Sequence, residues 1–214
     1  MYTVHGVNLS PFVRKVRAVL EEKGVAYELN PVMPFAKTPE LLAMNPLGKI
    51  PVLQDDDFEL PDSSCIGLYL ERREPAVALY PADDRAFGWS LFLEEFADTR
   101  VVEVTAPVFV QRVVNQRLMK LEADEALIAE VLSERVPPVF DWLEARVPEG
   151  DAIVGGRFSV ADIALVSPFV NFRHGGASVD AARWPKLAAY VEHVCARPSF
   201  AKLIAEEESA LSAA

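Results

Sequence analysis

The residue pattern of this chain alternates between strand-like and helix-like segments over residues 1–80, and it is helix-like from there to the end. Short β-prone runs that alternate with capped helices are typical of a mixed sheet-and-helix domain. Successive helical patterns without intervening strands are typical of an all-α domain. We therefore expect an α/β domain over residues 1–78, a linker over 79–84 and an all-helical domain over 85–214.

Paired signals mark the helix starts in the first part. Ser10-Pro11 and Thr38-Pro39 each place an N-cap residue before a proline, which suits the first helical turn because its φ is already helical. Gly24 ends the first of these helices, and a third helix begins at Ser63. The predicted order is βαβαββα, with the first two strands parallel. The strand-like runs are Tyr2–Val7, Tyr27–Leu29, Ile50–Leu53 and Phe58–Leu60, the last two forming a hairpin around Asp55–Asp57.

The second part is a series of helical patterns that prolines interrupt. Pro107 predicts a kink or a break in the first of them. Pro137-Pro138 predicts an interruption or a bend in the next, over residues 123–146. Ser159 and Asp162 have the spacing of a capping box, followed by a buried helix from Ile163 to Phe172. Two shorter helices are expected over residues 185–196 and 199–208.

The composition excludes several functional classes. The 214 residues are 51% hydrophobic and 25% charged, which is enough for folded domains with cores. The net charge of −11 opposes binding to nucleic acid or to anionic lipid, so we expect neither as a partner. The chain has no long apolar run and no leader-like start, so we expect a cytoplasmic protein that does not insert into membranes.

Disulfides and metal sites are not expected either. Cys65 and Cys195 lie far apart, in neither a Cys-x-x-Cys nor a metal-ligand spacing. The three histidines, His5, His174 and His193, are scattered along the chain. We therefore expect both thiols to be reduced and buried.

Three stretches of the first part carry residues that a ligand could use. Ser10 places a hydroxyl at a helix N-terminus, where free N–H groups and the helix dipole attract an anion. Pro51 opens a predicted strand, and a cis bond before it would turn the Ile50 N–H and C=O toward an extended, peptide-like ligand. Asp62-Ser63 puts a carboxylate and a hydroxyl beside another helix N-terminus, which suits the two charges of a zwitterion.

Each stretch also has a purely structural interpretation. Ser10 and Asp62 are both residue types that commonly cap helices. Most X–Pro bonds are trans, so a plain turn before Pro51 is the expectation from the residues alone. Lys37 is a fourth candidate, although a lone lysine in a polar loop is usually just solvated. At this point both interpretations stay open.

Taken together, the stretches resemble the cytosolic glutathione transferase family across essentially the whole chain. The resemblance rests on the order and spacing of residues 10–16, 45–53, 62–63 and 156–163. It implies a thioredoxin-like N-terminal domain, an all-helical C-terminal domain, a homodimer, and glutathione bound mainly by the first domain. It also implies a cis bond before Pro51. Some members have cysteine at this position, whereas Ser10 indicates a serine-type, bacterial-like member.

The same resemblance implies a role for each candidate. Ser10 would be the catalytic hydroxyl, which holds the glutathione sulfur as a thiolate for attack on an electrophilic, mostly apolar small molecule. Asp62 and Ser63 would hold the γ-glutamyl end, Lys37 would approach the glycyl carboxylate, and the Ile50 backbone would pair with the cysteinyl backbone. Glutathione would be the co-substrate, and no metal would be needed. The implied glutathione-binding residues are Phe12, Lys37, Lys49, Ile50, Pro51, Asp62 and Ser63.

The sequence departs from the family pattern at Pro61, Ser64 and Cys65; a basic residue is common in place of Ser64. The alternative function is therefore a non-catalytic, glutathione-transferase-like protein with a binding or regulatory role. Ser10 and the Asp62-Ser63 pair favour the enzyme, since a scaffold needs no zwitterion site. Thiol–disulfide exchange is disfavoured because Ser10 and Val13 stand where the attacking and resolving thiols would be.

Overall fold

The computed structural model describes residues 1–33, 37–150 and 152–213. The chain folds as two compact units, Met1–Tyr80 and Pro81–Ala214, each with its own apolar core. Over the described ranges, no helix is both long enough and apolar enough to cross a membrane.

The first unit combines a four-stranded sheet with helices in the predicted order βαβαββα. Its elements are β1 (Tyr2–His5), α1 (Pro11–Lys23), β2 (Tyr27–Asn30), α2 (Pro39–Met44), β3 (Val52–Asp55), β4 (Phe58–Pro61) and α3 (Ser63–Arg73). The strands lie in the order β2-β1-β3-β4. As predicted, β1 and β2 are parallel, whereas β3 runs antiparallel to both β1 and β4.

Helix α1 begins and ends where its cap signals predict. Ser10 is extended, with φ −81° and ψ 126°, and its side chain accepts the N–H of Val13. Gly24 closes the helix in the left-handed conformation, with φ 67°. The positions from 13 to 20 are all buried, including three basic residues among them. The helix is therefore enclosed on every face, and it packs against β1 and α3.

Gly6, directly after β1, lets α1 lie close to the sheet. A Cβ atom placed on Gly6 would lie 2.4 Å from Cγ2 of Val13, a side chain that is 0% exposed. The Gly6 backbone is fixed as well, because its N–H donates to the Asn30 carbonyl at 3.0 Å. Neither the Val13 side chain nor the Gly6 backbone can move easily. Gly6 therefore sets the position of α1, the helix that Ser10 caps.

The second unit is helical in its described residues, as predicted. Its helices are α4 (Asp84–Phe96), α5 (Val102–Phe109), α6 (Glu125–Glu130), α7 (Val136–Glu144), α8 (Val160–His174), α9 (Pro185–Cys195) and α10 (Pro198–Ser212). Segments of π-helix at Ala97–Val101, Val110–Leu118 and Val131–Arg135 join or extend these helices.

Three features of this unit differ in detail from the prediction. Pro107 does not break its helix but lies inside α5, and the hydrogen bonding changes to the π type from Val110. Proline has no N–H to donate, so the helix lacks one backbone hydrogen bond at Pro107 but continues past it. Pro137-Pro138 stands in the first turn of α7, where proline is tolerated, and the change there is from π-helix to α-helix. Asp84, placed in the predicted linker, is the first residue of α4 because Asp83 caps that helix.

Helix α8 is the centre of the second unit. Its residues from 160 to 172 are buried, and it packs against α4, α5 and α9. The capping box predicted at Ser159 and Asp162 is present. The Asp162 carboxylate also accepts the Ile153 N–H at 2.8 Å and the Tyr190 hydroxyl at 2.7 Å. Burial raises the pKa of Asp162 to about 6, although these hydrogen bonds oppose the rise.

The two cysteines lie in different environments. Cys195 is buried, as predicted, but Cys65 is exposed, so the prediction of a second buried thiol is wrong. The buried stripe of α3 contains Ser63, Ile66 and Leu70, which follow one another at helical spacing. Cys65 lies outside that stripe.

Candidate functional site

One edge of the sheet gathers the three stretches singled out from the sequence. His5, the last residue of β1, pairs with Val52, the first residue of β3. Val52 in turn pairs with Pro61, the last residue of β4. The segments that adjoin these three residues therefore leave the sheet side by side. They contain Ser10, the Ile50-Pro51 bond and Asp62.

Ser10 caps α1 through a long hydrogen bond. Its Oγ accepts the Val13 N–H at 3.4 Å, which is beyond the usual range for such bonds. In this cap the serine oxygen is the acceptor, so the cap does not use the hydroxyl proton. The cap interpretation and the ligand interpretation of Ser10 are therefore compatible. Phe12 follows in the first turn of α1 and is half-buried.

A chain of polar side chains holds the loop before Ser10, and sequence reasoning missed it. The buried Arg17 guanidinium donates to Asn8 Oδ1 at 3.0 Å and to the Tyr27 hydroxyl at 2.9 Å. Tyr27 donates in turn to Glu21. Burial is the main cause that raises the pKa of Tyr27 to about 12. The only signal in the sequence was an arginine among the apolar positions of α1, which resembles an ordinary solvated residue.

The loop before β3 is organised by Asn45, which sequence reasoning also did not single out. Its buried side chain donates to the Lys49 carbonyl at 2.8 Å and accepts the Leu47 N–H at 3.0 Å. The Ile50-Pro51 bond is cis, as the resemblance implied. The Ile50 side chain is buried, whereas Lys49 is exposed.

Lys37 reaches the same loop. Lys37 has a positive φ of 39° and is exposed. A Cβ atom placed on Gly48 would lie 3.2 Å from Lys37 Cγ, so the lysine stem passes directly over Gly48. Gly48 itself has a φ of 61°, which favours glycine. Lys37 and Lys49 therefore place two cations on adjoining loops.

Asp62 forms the third side of the site. Its Oδ1 accepts the N–H groups of Ser64 and Cys65, each at 3.0 Å, so it caps α3. Its φ of 78° is in the left-handed region and turns the chain sharply between β4 and α3. Asp62 is exposed and Ser63 is buried. The Lys15 ammonium of α1 donates to the Ser64 hydroxyl at 2.8 Å and so joins α1 to this turn.

The electrostatics of this edge suit a ligand with charges at both ends. Helices α1 and α3 both begin here, and the positive ends of their dipoles favour anions. Lys37 and Lys49 add positive charge, whereas Asp62 supplies an acceptor for an ammonium group. An extended zwitterion is therefore matched better than a simple anion. In the described chain, no three His, Cys, Asp or Glu side chains converge on a point that could hold a metal ion.

Comparison with known proteins assigns the two units. Residues 4–78 match the family model for the glutathione S-transferase N-terminal domain, and residues 109–207 match that for the C-terminal domain. Glutathione S-transferase 3 of Zea mays is 32% identical over 209 residues, which cover 94% of this chain and 92% of the maize protein.

Solved structures give the same result. Glutathione transferase F7 from Populus trichocarpa superposes with a TM-score of 0.83 at 26% identity, covering 96% of this chain and 98% of the poplar chain. Glutathione S-transferase I bound with lactoylglutathione has a TM-score of 0.84 at 25% identity, covering 95% and 98% of the two chains. The chain therefore belongs to the glutathione S-transferase family, which confirms the resemblance drawn from its motifs.

Proposed function

We propose that the protein is a serine-type glutathione transferase that joins the glutathione sulfur to an electrophilic, mostly apolar small molecule. The observation that carries the proposal is the pairing of His5, Val52 and Pro61 across the sheet. This pairing supports the proposal because the three segments that carry the Ser10 hydroxyl, the Ile50-Pro51 backbone and the Asp62 carboxylate leave the sheet side by side. Family membership supports the enzyme over a non-catalytic relative.

In the proposed complex, glutathione lies along this edge. The Ile50 backbone, followed by Pro51, pairs with the cysteinyl backbone. Asp62 accepts the γ-glutamyl ammonium, and Ser63 donates to the γ-glutamyl carboxylate. Lys37 and Lys49 approach the glycyl carboxylate, and Phe12 borders the cysteinyl position. The supporting facts are the rigid Asn45 loop, the Lys37 stem over Gly48, and the sharp turn at Asp62.

The catalytic step depends on ionisation of the bound thiol. A free thiol has a pKa of about 8.5, so only a few per cent is thiolate at pH 7. Lowering that pKa by about two units requires about 2.7 kcal/mol of preferential stabilisation of the anion. A hydrogen bond from Ser10 and the N-terminus of α1 are the two contributions available. The thiol proton goes to solvent, and the sulfur then forms a bond to the electrophilic carbon while the leaving group departs.

We also propose that the protein is a homodimer and acts in the cytoplasm, as the family resemblance implies. The proposed step uses no metal, because it assigns stabilisation of the thiolate to the Ser10 hydroxyl and the N-terminus of α1. The second substrate is proposed only as a class, an apolar electrophile.

Glutathione binding and conjugation test the proposal directly. The purified protein should be retained on immobilised glutathione, be released by free glutathione, and accelerate conjugation of glutathione to an activated aryl halide. Asp62→Ala should reduce retention, because it removes the acceptor for the ammonium and the cap of α3. Asp83→Ala, which removes a comparable cap from α4 in the other unit, is the matched control and should leave retention unchanged. Absence of both retention and conjugation would favour the non-catalytic function.

A further inference from the structure

Lys15 is a buried charged residue that has no role in the proposed mechanism. It lies in the second turn of α1 and is 1% exposed. Lysine is almost never fully buried unless its ammonium group is paired. Among its contacts is the hydrogen bond from Nζ to the Ser64 hydroxyl, at 2.8 Å.

The position of this ammonium is electrostatically unusual. Ser64 is the second residue of α3, and the N-terminal turn of a helix carries a partial positive charge that disfavours a cation. Asp62 adds negative charge to this turn, because its carboxylate accepts the Ser64 and Cys65 N–H groups. The proposed ligand would add its γ-glutamyl carboxylate, which would meet Ser63 in the same turn.

We propose that Lys15 is a positioning residue for glutathione, acting through Ser64 on the turn that receives the γ-glutamyl group. It has two effects. Its hydrogen bond fixes the Ser64 side chain, and thereby the first turn of α3, against α1. Its charge raises the electrostatic potential at the place where the ligand carboxylate binds. The inference rests on the proposed function and adds to it a residue outside the predicted site.

The Lys15 ammonium brings a cation to the first turn of α3 from the neighbouring helix, because its Nζ lies 2.8 Å from the Ser64 hydroxyl. A lysine suits the task because its long stem can be buried between α1 and α3 while its head reaches the turn.

The chain offers a matched control in Lys23. It lies at the other end of α1, is also buried, and donates to Glu71 at 2.7 Å and to two backbone carbonyls near the end of α3. Lys23 thus joins α1 to α3 as Lys15 does, but away from the proposed ligand. Substitution of either lysine by methionine removes a buried ammonium while retaining most of the side-chain volume.

Steady-state kinetics with two thiols tests the inference. Lys15→Met should raise the KM for glutathione by about ten-fold, the loss expected from one charge-assisted interaction, and leave kcat within about two-fold. With cysteinylglycine, which lacks the γ-glutamyl group, Lys15→Met and the parent protein should have the same KM. Lys23→Met should lower the free energy of unfolding but leave both KM values unchanged.

Two further variants keep the inference testable if Lys15→Met does not fold. Lys15→Gln removes the charge and retains a hydrogen-bond donor, and Ser64→Ala removes the acceptor and retains the charge. Each should raise the KM for glutathione but not that for cysteinylglycine. Unchanged KM values for glutathione, or equal increases for both thiols, would overturn the role of Lys15. If the parent protein neither binds nor conjugates glutathione, the proposed function itself fails.

Discussion

Asp162 shows at the scale of one residue how a buried charge is held in this protein. Its two carboxylate oxygens accept hydrogen bonds from the Ser159 N–H and hydroxyl, the Ile153 N–H and the Tyr190 hydroxyl. The capping spacing predicted the first of these partners. The partners from Ile153 and Tyr190 depend on a loop and on helix α9, and a local sequence pattern contains no information on such distant contacts.

We expect Asp162→Asn to destabilise the protein by about 2 kcal/mol at pH 7, because the amide presents a donor to groups that are themselves donors. Urea denaturation measures this loss. Asp124→Asn is the matched control, since Asp124 is an exposed cap of α6 and asparagine caps equally well. Equal effects of the two substitutions would contradict the account of Asp162.

The same residue makes stability depend on pH in a defined direction. Burial raises the pKa of Asp162 to about 6 from an ordinary 3.8, so between these values the folded chain holds a proton that the unfolded chain has lost. The stability from this proton is fully present below pH 3.8 and is lost as the pH rises through about 6. The cost of Asp162→Asn should therefore be larger near pH 4 than at pH 7. A cost that increases with pH would show that the pKa is lowered instead.

At the scale of elements, the contact between β1 and α1 depends on Gly6. We expect Gly6→Ala to cost about 1–3 kcal/mol, because the new methyl group would overlap the buried Val13 side chain. Conjugation activity should also fall in Gly6→Ala, because displacement of α1 moves Ser10. Thermal unfolding and initial rates measure the two effects.

Gly88→Ala is the control, and we expect it to change the free energy of unfolding in the opposite direction. Gly88 lies inside α4, and a Cβ atom there would meet nothing within 4 Å. Alanine favours a helix over glycine by about 0.5–1 kcal/mol, so this substitution should stabilise the protein. Destabilisation of similar size by both substitutions would indicate that close packing at Gly6 is not the cause.

The elements themselves were largely predictable from the sequence, because their signals are local. Ser10-Pro11, Thr38-Pro39 and Gly24 fixed helix boundaries that the structure confirms within a residue. The predictions failed where the outcome depends on the neighbours of an element. Pro107 lies inside α5 without ending it, and Cys65 lies outside the buried stripe of α3.

At the scale of the whole molecule, the net charge of −11 is a poor guide to the site. The proposed ligand carries two carboxylates, yet the edge that would receive it combines Lys37, Lys49 and two helix N-termini. Local charge therefore decides what binds there, and the overall charge opposes only extended polyanions.

The candidate site was predictable from sequence only as three separate stretches. Their convergence follows from the strand register, in which His5, Val52 and Pro61 adjoin. The residues that support the site, Arg17 and Lys15, could not be predicted, because a buried basic residue on a helix has the same local pattern as an exposed one. Their contacts join α1 to segments at distant positions in the chain.

The central claim is that the glutathione sulfur is held as a thiolate by the Ser10 hydroxyl. Titration of the ultraviolet thiolate absorbance of bound glutathione tests it most directly. For the parent protein, and for Ser10→Thr as the variant that retains a hydroxyl, we predict a midpoint about two pH units below the value of about 8.5 for a free thiol. For Ser10→Ala we predict retained glutathione affinity with the midpoint shifted back toward that of the free thiol. An unchanged midpoint in Ser10→Ala would contradict the claim.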